Sequence, residues 1–291
     1  MKITVLGGSG FIGSHVADAL SKRGHDVRIF DKKKSKWLRK DQKILIGDIF
    51  NYKILEKAIR DSEVVYNFAA LAELDKSMKK PLVSAKTNIL GTVQALNLCL
   101  KYKVKRFVHA SSIYAGSNQG GFYSCSKRAA DDYVQEFNKS YKLNYTILRF
   151  GSVYGLRSDR TNGLRRILDR AILSKKLIYM GKKQAVREYI NVLDAAYASV
   201  EILKNSYKNK CIILTGQKSM KITKFLKFLS SNLKIKSKMI FRNEKYSQHY
   251  TRTPSKYLMT KEKKFKFKKT IDFKIGVNSL IQELKKNQIK N

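Results

Sequence analysis

Tyr123-Ser124-Cys125-Ser126-Lys127 sets a phenol and an ammonium four residues apart. On a helix, positions i and i+4 lie one above the other, so the two side chains share a face. A free tyrosine titrates near 10 and is almost wholly protonated at neutral pH; each unit of depression corresponds to about 1.4 kcal/mol of preferential phenolate stabilisation. A neighbouring ammonium supplies such stabilisation and makes the phenol a usable acid and base toward a hydroxyl group. Tyrosine and lysine are abundant in this chain, so the spacing by itself reads as an ordinary helix face. Cys125, inside the same motif, reads as a small buried thiol filling a helix position and not as a nucleophile.

A second constellation gives the first its meaning. Gly7-Gly8-Ser9-Gly10-Phe11-Ile12-Gly13 follows the strand-like Ile3 to Leu6 and opens a helix-like stretch. Glycines let the backbone turn tightly and approach a pyrophosphate, and a helix N-terminus offers it unpaired N–H groups. Two registers fit, Gly8-x-Gly10-x-x-Gly13 and Gly7-x-x-Gly10-x-x-Gly13. Asp31 closes the run Val27 to Phe30, eighteen positions after Gly13, where a carboxylate accepts from the adenosine ribose. That favours NAD; Lys32, Lys33 and Lys34 would partly offset repulsion of a 2'-phosphate and keep NADP open. The expected cofactor contacts are therefore Gly7, Gly10, Phe11, Ile12, Gly13 and Asp31, with Asp48 reaching the adenine beside Ile49. Ala69 and Ala70 are small enough to let the cofactor lie close, although a helix cap or plain packing serves Asp48 and the alanines equally well.

Apolar runs alternate with helix-period segments from the first residue, the pattern of βαβ units on a parallel sheet. Strands are expected at 3–6, 27–30, 44–46, 64–68, 106–110 and 145–150. Helices are expected at 12–22, from Pro81 to about Lys101, and from Tyr123 to about Ser140. The fold class is α/β, a Rossmann-like doubly wound sheet with a smaller C-terminal lobe. Residues 1–152, with 186–216 returning, form the first part, and 153–185 with 217–291 the second. The 291 residues are 43% hydrophobic, and no apolar run approaches the roughly 18 residues needed to cross a bilayer. A soluble protein is expected, and the N-terminal residues do not resemble a leader, which places it in the cytoplasm. Cys99, Cys125 and Cys211 fall at unrelated spacings, so neither a disulfide nor a metal site is expected. The formal charge of +39 would suit nucleic acid. The lysines are, however, spread along the chain without an RNA- or DNA-binding signature, and the charge reads as compositional.

Taken in order, these motifs resemble the extended short-chain dehydrogenase/reductase family, particularly its nucleotide-sugar epimerases and dehydratases. GGSGFIG, GDI, NFAA, TNILGT, ASSIYAG, YSCSK, LRFGSVYG and REYINVLDAA follow the family's sequence over nearly the whole chain. The resemblance implies that Tyr123 and Lys127 are catalytic, that Lys127 also holds the nicotinamide ribose, and that a preceding serine orients the reacting oxygen. Ser112 is the preferred serine, with Ser111 the alternative register and a substrate contact. Arg187 stands where the family contacts a nucleotide diphosphate, an ion pair with Glu188 or Asp194 being its structural alternative. Arg252 is a further phosphate candidate, Ser152 replaces a familiar asparagine, Asn191 replaces a familiar histidine, and Asn88 holds water or helix geometry.

The implied reaction is epimerisation at C4 of a nucleotide sugar by transient oxidation with NAD, and the implied assembly is a homodimer. A 4,6-dehydratase of this family carries an Asp-Glu pair directly after the orienting residue, whereas Ile113 and Tyr114 follow Ser112. A reductase is the nearest enzymatic alternative. A Rossmann protein that binds RNA through its basic surface is the non-enzymatic one.

Overall fold

The computed structural model describes residues 1–242, 250–253 and 262–289. In chain order it forms β1 (Lys2–Leu6), α1 (Phe11–Lys22), β2 (Asp26–Asp31), β3 (Gln42–Ile46), α2 (Tyr52–Ile59) and β4 (Val64–Asn67). There follow α3 (Leu74–Lys79), α4 (Pro81–Ala85), α5 (Gly91–Lys101), β5 (Arg106–Ser112), α6 (Gly121–Tyr141) and β6 (Tyr145–Phe150). Next come β7 (Ser152–Tyr154), α7 (Gly163–Ser174), β8 (Ile178–Met180), β9 (Val186–Arg187), β10 (Tyr189–Asn191), α8 (Val192–Glu201) and β11 (Lys210–Leu214). The last elements are β12 (Met220–Lys221), α9 (Ile222–Asn232), β13 (Ile240–Arg242), β14 (Glu262–Lys264) and α10 (Phe273–Ile289). None of the described helices is long and apolar enough to cross a membrane.

Two units are distinguished. The first contains Met1–Phe150, Ala195–Leu214 and the described residues 262–265. Its sheet has eight strands in the order β14-β11-β6-β5-β4-β1-β2-β3, and every pairing is parallel. Parallel strands require crossover helices, and helices on both faces bury the sheet, which is why β1 and β4 are largely apolar and every residue of β4 and β5 is buried. One face packs Leu55 and Ile59 of α2, Leu96 and Leu98 of α5, and Val134 and Phe137 of α6 against Phe30, Val65, Phe107 and Ile147. Each such fully buried side chain contributes roughly 1.5–3 kcal/mol. Arg106 donates to the carbonyls of Ile202, Leu203 and Lys204, satisfying acceptors left open where α8 ends and placing a cation against its dipole.

The order of the strands reverses at β1, which has β2 on one side and β4 on the other. Leu6 is in register with both Phe30 and Asn67, so the three carboxyl ends align there. In open α/β sheets this switch point is where a crevice forms and ligands bind.

The second unit contains Gly151–Asp194 and, of the described residues, 215–242, 250–253 and 266–289. It has its own core, in which Leu164, Leu168, Phe225, Leu226, Leu280 and Leu284 from α7, α9 and α10 meet Tyr154 and Tyr179. The bounds expected from the sequence differ from this division at four places: 151–152, 186–194 and 215–216 lie in the second unit, 186–194 because β9 and β10 pair with β12 and β7 there, and 262–265 lie in the first, where β14 joins β11. The expected second lobe also includes 243–249, 254–261 and 290–291, which lie outside the described residues.

The single helix expected from Pro81 to Lys101 is interrupted. A π-helical turn at Lys86–Leu90 separates α4 from α5. Such a turn widens the helix locally and is common where a side chain must be presented; here it carries Asn88, which is buried and bonded away from its own helix.

Candidate active site

The glycine loop runs from the end of β1 into α1. The Gly7 N–H donates to the Phe30 carbonyl at 2.8 Å, the Gly10 N–H to Gly7 O at 3.1 Å, and the Ser14 N–H to Gly10 O at 3.0 Å. Gly7 has φ +74°, and a Cβ there would lie 2.6 Å from the Ala69 nitrogen. At Gly13 a Cβ would lie 2.3 Å from the Gly7 carbonyl oxygen. Only glycine fits either place. The N-terminus of α1 has no side-chain cap and no acid in its first turn, so the N–H groups of Phe11, Ile12 and Gly13 remain as donors for an anion. This cradle fits the pyrophosphate of a dinucleotide.

Asp31 ends β2 and braces the loop: Oδ2 accepts from the Ser9 N–H at 3.0 Å and Oδ1 from the Lys33 N–H at 3.1 Å. Each carboxylate oxygen has a second lone pair with which to accept from a ribose hydroxyl. Asp48 pairs with Lys32 at 2.7 Å and accepts from the Phe50 N–H. Lys32 and that backbone bond hold its carboxyl below the usual range. Of the three lysines after Asp31, Lys32 is the one that pairs with Asp48, in an exposed ion pair. Ile49 is buried in the core against Gly91, and its carbonyl accepts from Gln94. Ala69 follows β4 and donates its N–H to Asn67 Oδ1; Ala70 is half-buried beside it.

Ser111 and Ser112 end β5, and alternation along a strand sends them to opposite faces. Ser111 Oγ donates to Asp131 at 2.9 Å. Ser112 Oγ accepts from the Tyr114 N–H at 3.3 Å and hydrogen-bonds the Tyr123 phenol. Tyr123, on the first turn of α6, is only 7% exposed and meets the Tyr114 ring edge-on. The short segment between β5 and α6 is pinned by Ser124, donating to the Tyr114 carbonyl, and by Arg128, donating to Ala115 and Ser117. Lys127, 3% exposed, donates from Nζ to the Ala110 carbonyl at 2.8 Å.

Burial pushes the Tyr123 phenol up to about 12; the Ser112 bond opposes this, and the charge of Asp131 adds to it. The expectation that Lys127 holds the phenol down is therefore corrected for the protein alone, in which the cost of burying a phenolate dominates. Lys127 itself is lowered to about 8 by burial, against the opposing charge of Asp131. Cys125 is exposed, not buried as its position in the motif suggested. Two residues beyond Tyr123, it points away from the face that carries Tyr123 and Lys127.

Asn88 ties these parts together. Its Oδ1 accepts from the Leu71 N–H at 2.7 Å, and its Nδ2 donates to the Leu71 carbonyl and to Ser126 Oγ. The loop after β4 is thereby fixed to the turn of α6 between Tyr123 and Lys127.

In the second unit, Arg187 lies over the Tyr250 ring, 4.3 Å from its centroid, and donates to Tyr179 Oη and to the carbonyls of Val186 and Thr251. Among the described residues Arg187 makes no ion pair with Glu188 or Asp194; Glu188 accepts from Thr215, and Asp194 from the Ile271 N–H. Ser152 Oγ shares a 2.7 Å hydrogen bond with Tyr250 Oη. Arg252 is exposed and bridges to Val186. The ring stack under Arg187, absent from the sequence reading, had no local signal, because Tyr250 stands 63 residues away.

The opposite orientations of the two serines give a first expected result. Ser112→Ala lowers kcat by about tenfold, the worth of one hydrogen bond of ~1.4 kcal/mol, and Ser111→Ala lowers it less. Steady-state kinetics on both variants checks this; a larger loss from Ser111→Ala overturns the assignment of Ser112.

Residues 3–214 match the sequence model of the NAD dependent epimerase/dehydratase family. A Methanocaldococcus jannaschii protein that carries a provisional UDP-glucose 4-epimerase name is 26% identical over 307 residues, spanning 98% of this chain and 99% of that protein. The fold is shared with the UDP-glucose 4-epimerase of Thermotoga maritima, solved with UDP-glucose (TM-score 0.86, 23% identity, 99% of this chain and 100% of that one). It is equally shared with the UDP-glucuronic acid 4-epimerase of Bacillus cereus, solved with UDP-glucuronic acid and NAD (TM-score 0.86, 22% identity, 99% and 100%).

Proposed function

We propose, from the premise that this chain belongs to the NAD-dependent epimerase/dehydratase family, that it is a nucleotide-sugar 4-epimerase acting through a transient keto-sugar. The observation that carries the reading is the Tyr123 phenol bonded to Ser112, with Lys127 buried one turn further along the same helix face. Ser112 orients the sugar hydroxyl, Tyr123 takes its proton and later returns it, and the Lys127 ammonium favours the phenolate through which this happens. The loop from Gly7 to Gly13 and the N-terminus of α1 hold the pyrophosphate, while Asp31 accepts from the adenosine ribose. NAD, when bound, supplies the hydride acceptor and donor, together with a positive nicotinamide charge that lowers the phenol. Ile113 and Tyr114, both buried, occupy the positions where elimination of water would call for an acid pair; this favours epimerisation over dehydration.

For the second unit, Arg187 is the side chain we assign to the substrate diphosphate, its planar fork held flat by Tyr250. Ser152 and Arg252 are assigned secondary contacts. Free thiols at Cys99, Cys125 and Cys211 suit a reducing compartment and so a cytoplasmic enzyme. Exposed Leu82, Val83 and Leu90, with Tyr133 and Tyr141 of α6, offer the first unit an apolar face for a second copy, and a homodimer is the expected assembly. Nucleotide sugar, not nucleic acid, is the expected partner.

The test is incubation of the protein and NAD with a panel of UDP-, GDP-, CDP- and dTDP-sugars, the products identified by NMR and mass spectrometry. At least one sugar, with UDP-sugars expected first, should invert at C4 without net accumulation of NADH. Stoichiometric consumption of NADH would make the protein a reductase, and inertness toward the whole panel would overturn the reading.

A further inference from the structure

Behind the Tyr123–Lys127 pair lies a buried cluster of charge that the reaction itself does not call on. Tyr123, Lys127 and Asp131 occupy positions i, i+4 and i+8 of α6, and all three are buried, Asp131 completely. Asp131 Oδ2 accepts hydrogen bonds from Ser111 Oγ at 2.9 Å and Arg149 Nε at 3.0 Å, and Arg149 Nη2 completes the ion pair at 2.9 Å. Its Oδ1 accepts none among the described residues and lies 3.8 Å from His109 Nε2. Arg149 also pairs with Glu262 of β14. The cluster thus balances two cations, Lys127 and Arg149, with two carboxylates, Asp131 and Glu262.

Taking such charges out of water is costly, and the arrangement is retained only if the charges compensate one another. Among the described residues Lys127 has one hydrogen-bond partner, the Ala110 carbonyl. A buried lysine so placed, without an opposite charge nearby, sheds its proton. Asp131 is the carboxylate that opposes this. Its own orientation is set by Ser111 and by the two nitrogens of Arg149, not by Lys127, so it presents a fixed charge one helical turn along α6 from Lys127.

We propose that Asp131 is a positioning residue for the reaction: locked by Ser111 and Arg149, its carboxylate keeps Lys127 an ammonium and so sets the pH range in which the Tyr123–Lys127 pair can work. The proposal rests on the reading of Tyr123 and Lys127 as the reacting pair. The groups that face the cluster are His109 from β5, Arg149 and Tyr145 from β6, Cys211 from β11 and Glu262 from β14, with Tyr123 and Asp132 on α6. Burial and the charge of Lys127 keep His109 neutral. Burial raises Asp131 to about 6, with Arg149 opposing, so its carboxylate is charged through the neutral range.

The signs are definite. Removing the negative charge of Asp131 lowers the pKa of Lys127 and, by relieving repulsion, that of Tyr123 as well. Activity needs Tyr123 as a base and Lys127 protonated, so both limbs of the pH–rate profile move toward acid. Asp131→Asn is expected to displace the whole profile by about one pH unit, whereas a purely structural loss lowers its height and leaves it in place. Asp131→Glu should restore the original position, and Glu262→Gln, which removes a charge that faces Arg149, should leave it nearly unmoved.

A second readout needs no turnover. In protein labelled with [13Cε]lysine, the Lys127 resonance, identified by its loss in Lys127→Met, should titrate well below the other lysines and about one unit lower again in Asp131→Asn. In the unsubstituted protein the same resonance should show a small second inflection near the titration of Asp131, which decides the matter even where Asp131→Asn does not fold. An unmoved Lys127 titration in Asp131→Asn, or no inflection in the unsubstituted protein, overturns the proposal. Failure of the sugar panel alone would overturn the assigned reaction and leave the lysine titration as expected.

Discussion

Tyr123→Phe is expected to lower kcat by about 100- to 10,000-fold, the range general acid–base participation contributes, while NAD binding and folding persist. The substitution removes one oxygen from a ring that is 7% exposed and packed edge-on against Tyr114, and it leaves the ring volume almost unchanged. Ser112 keeps its bond from the Tyr114 N–H, so no buried hydroxyl is stranded. The glycine loop and Asp31, which would hold the dinucleotide, do not depend on the phenol. A substrate deuterated at C4 makes the measurement specific: an epimerase returns the label to C4 of the inverted product, and the variant should return it at the reduced rate. A fully active Tyr123→Phe would remove the proposed acid and base from the reaction altogether.

Gly13→Ala should weaken NAD binding by about 5- to 150-fold. The added methyl would sit 2.3 Å from the Gly7 carbonyl oxygen, a backbone atom that cannot rotate away. The whole loop must shift, and overpacking of this kind costs typically ~1–3 kcal/mol; charged against the bound state, that is the stated range of affinity. Gly163→Ala is the control, since a Cβ there meets nothing within 4 Å. Isothermal titration with NAD reads both variants. Equal affinities for Gly13→Ala and the unsubstituted chain would mean that this loop is not the cofactor cradle.

The parts of the fold that could be read in advance are those that a single segment determines. Val5 and Leu6 before the glycines, Val27 to Phe30 before Asp31, and Tyr145 to Phe150 are apolar runs stopped by glycine or charge, and each became a parallel strand. The helix at Leu74–Lys79 was not legible because it is short; Tyr52–Ile59 and Gly163–Ser174 were missed although Leu55, Ala58 and Ile59 of the one and Leu164, Ile167, Leu168 and Ala171 of the other recur at helical spacing. The π-helical turn also escapes periodicity, since what requires it is the reach of Asn88 to Leu71 and Ser126. Within the site, the spacing of Tyr123 and Lys127 was visible, and so in principle was Asp131, four residues further on. Nothing local marks that carboxylate as buried, however, until β6 brings Arg149 against it.

The last strand of the eight-stranded sheet bears on how the chain acquires its structure on the ribosome. β14 adds to β11, and its Glu262 reaches Arg149 across 113 residues of sequence. When synthesis has passed β6, Arg149 has Asp131 but not Glu262, and the edge that β11 and β14 will cover is open. An open parallel edge is a template for pairing with another chain, and such long-range closure is slow. A nascent chain halted before residue 262 should therefore pair β6 with β5 and β11 but leave unprotected the outer edge of β11, which β14 covers. Pulsed hydrogen exchange on stalled chains should show protection of that edge arriving only as the C-terminal segment emerges.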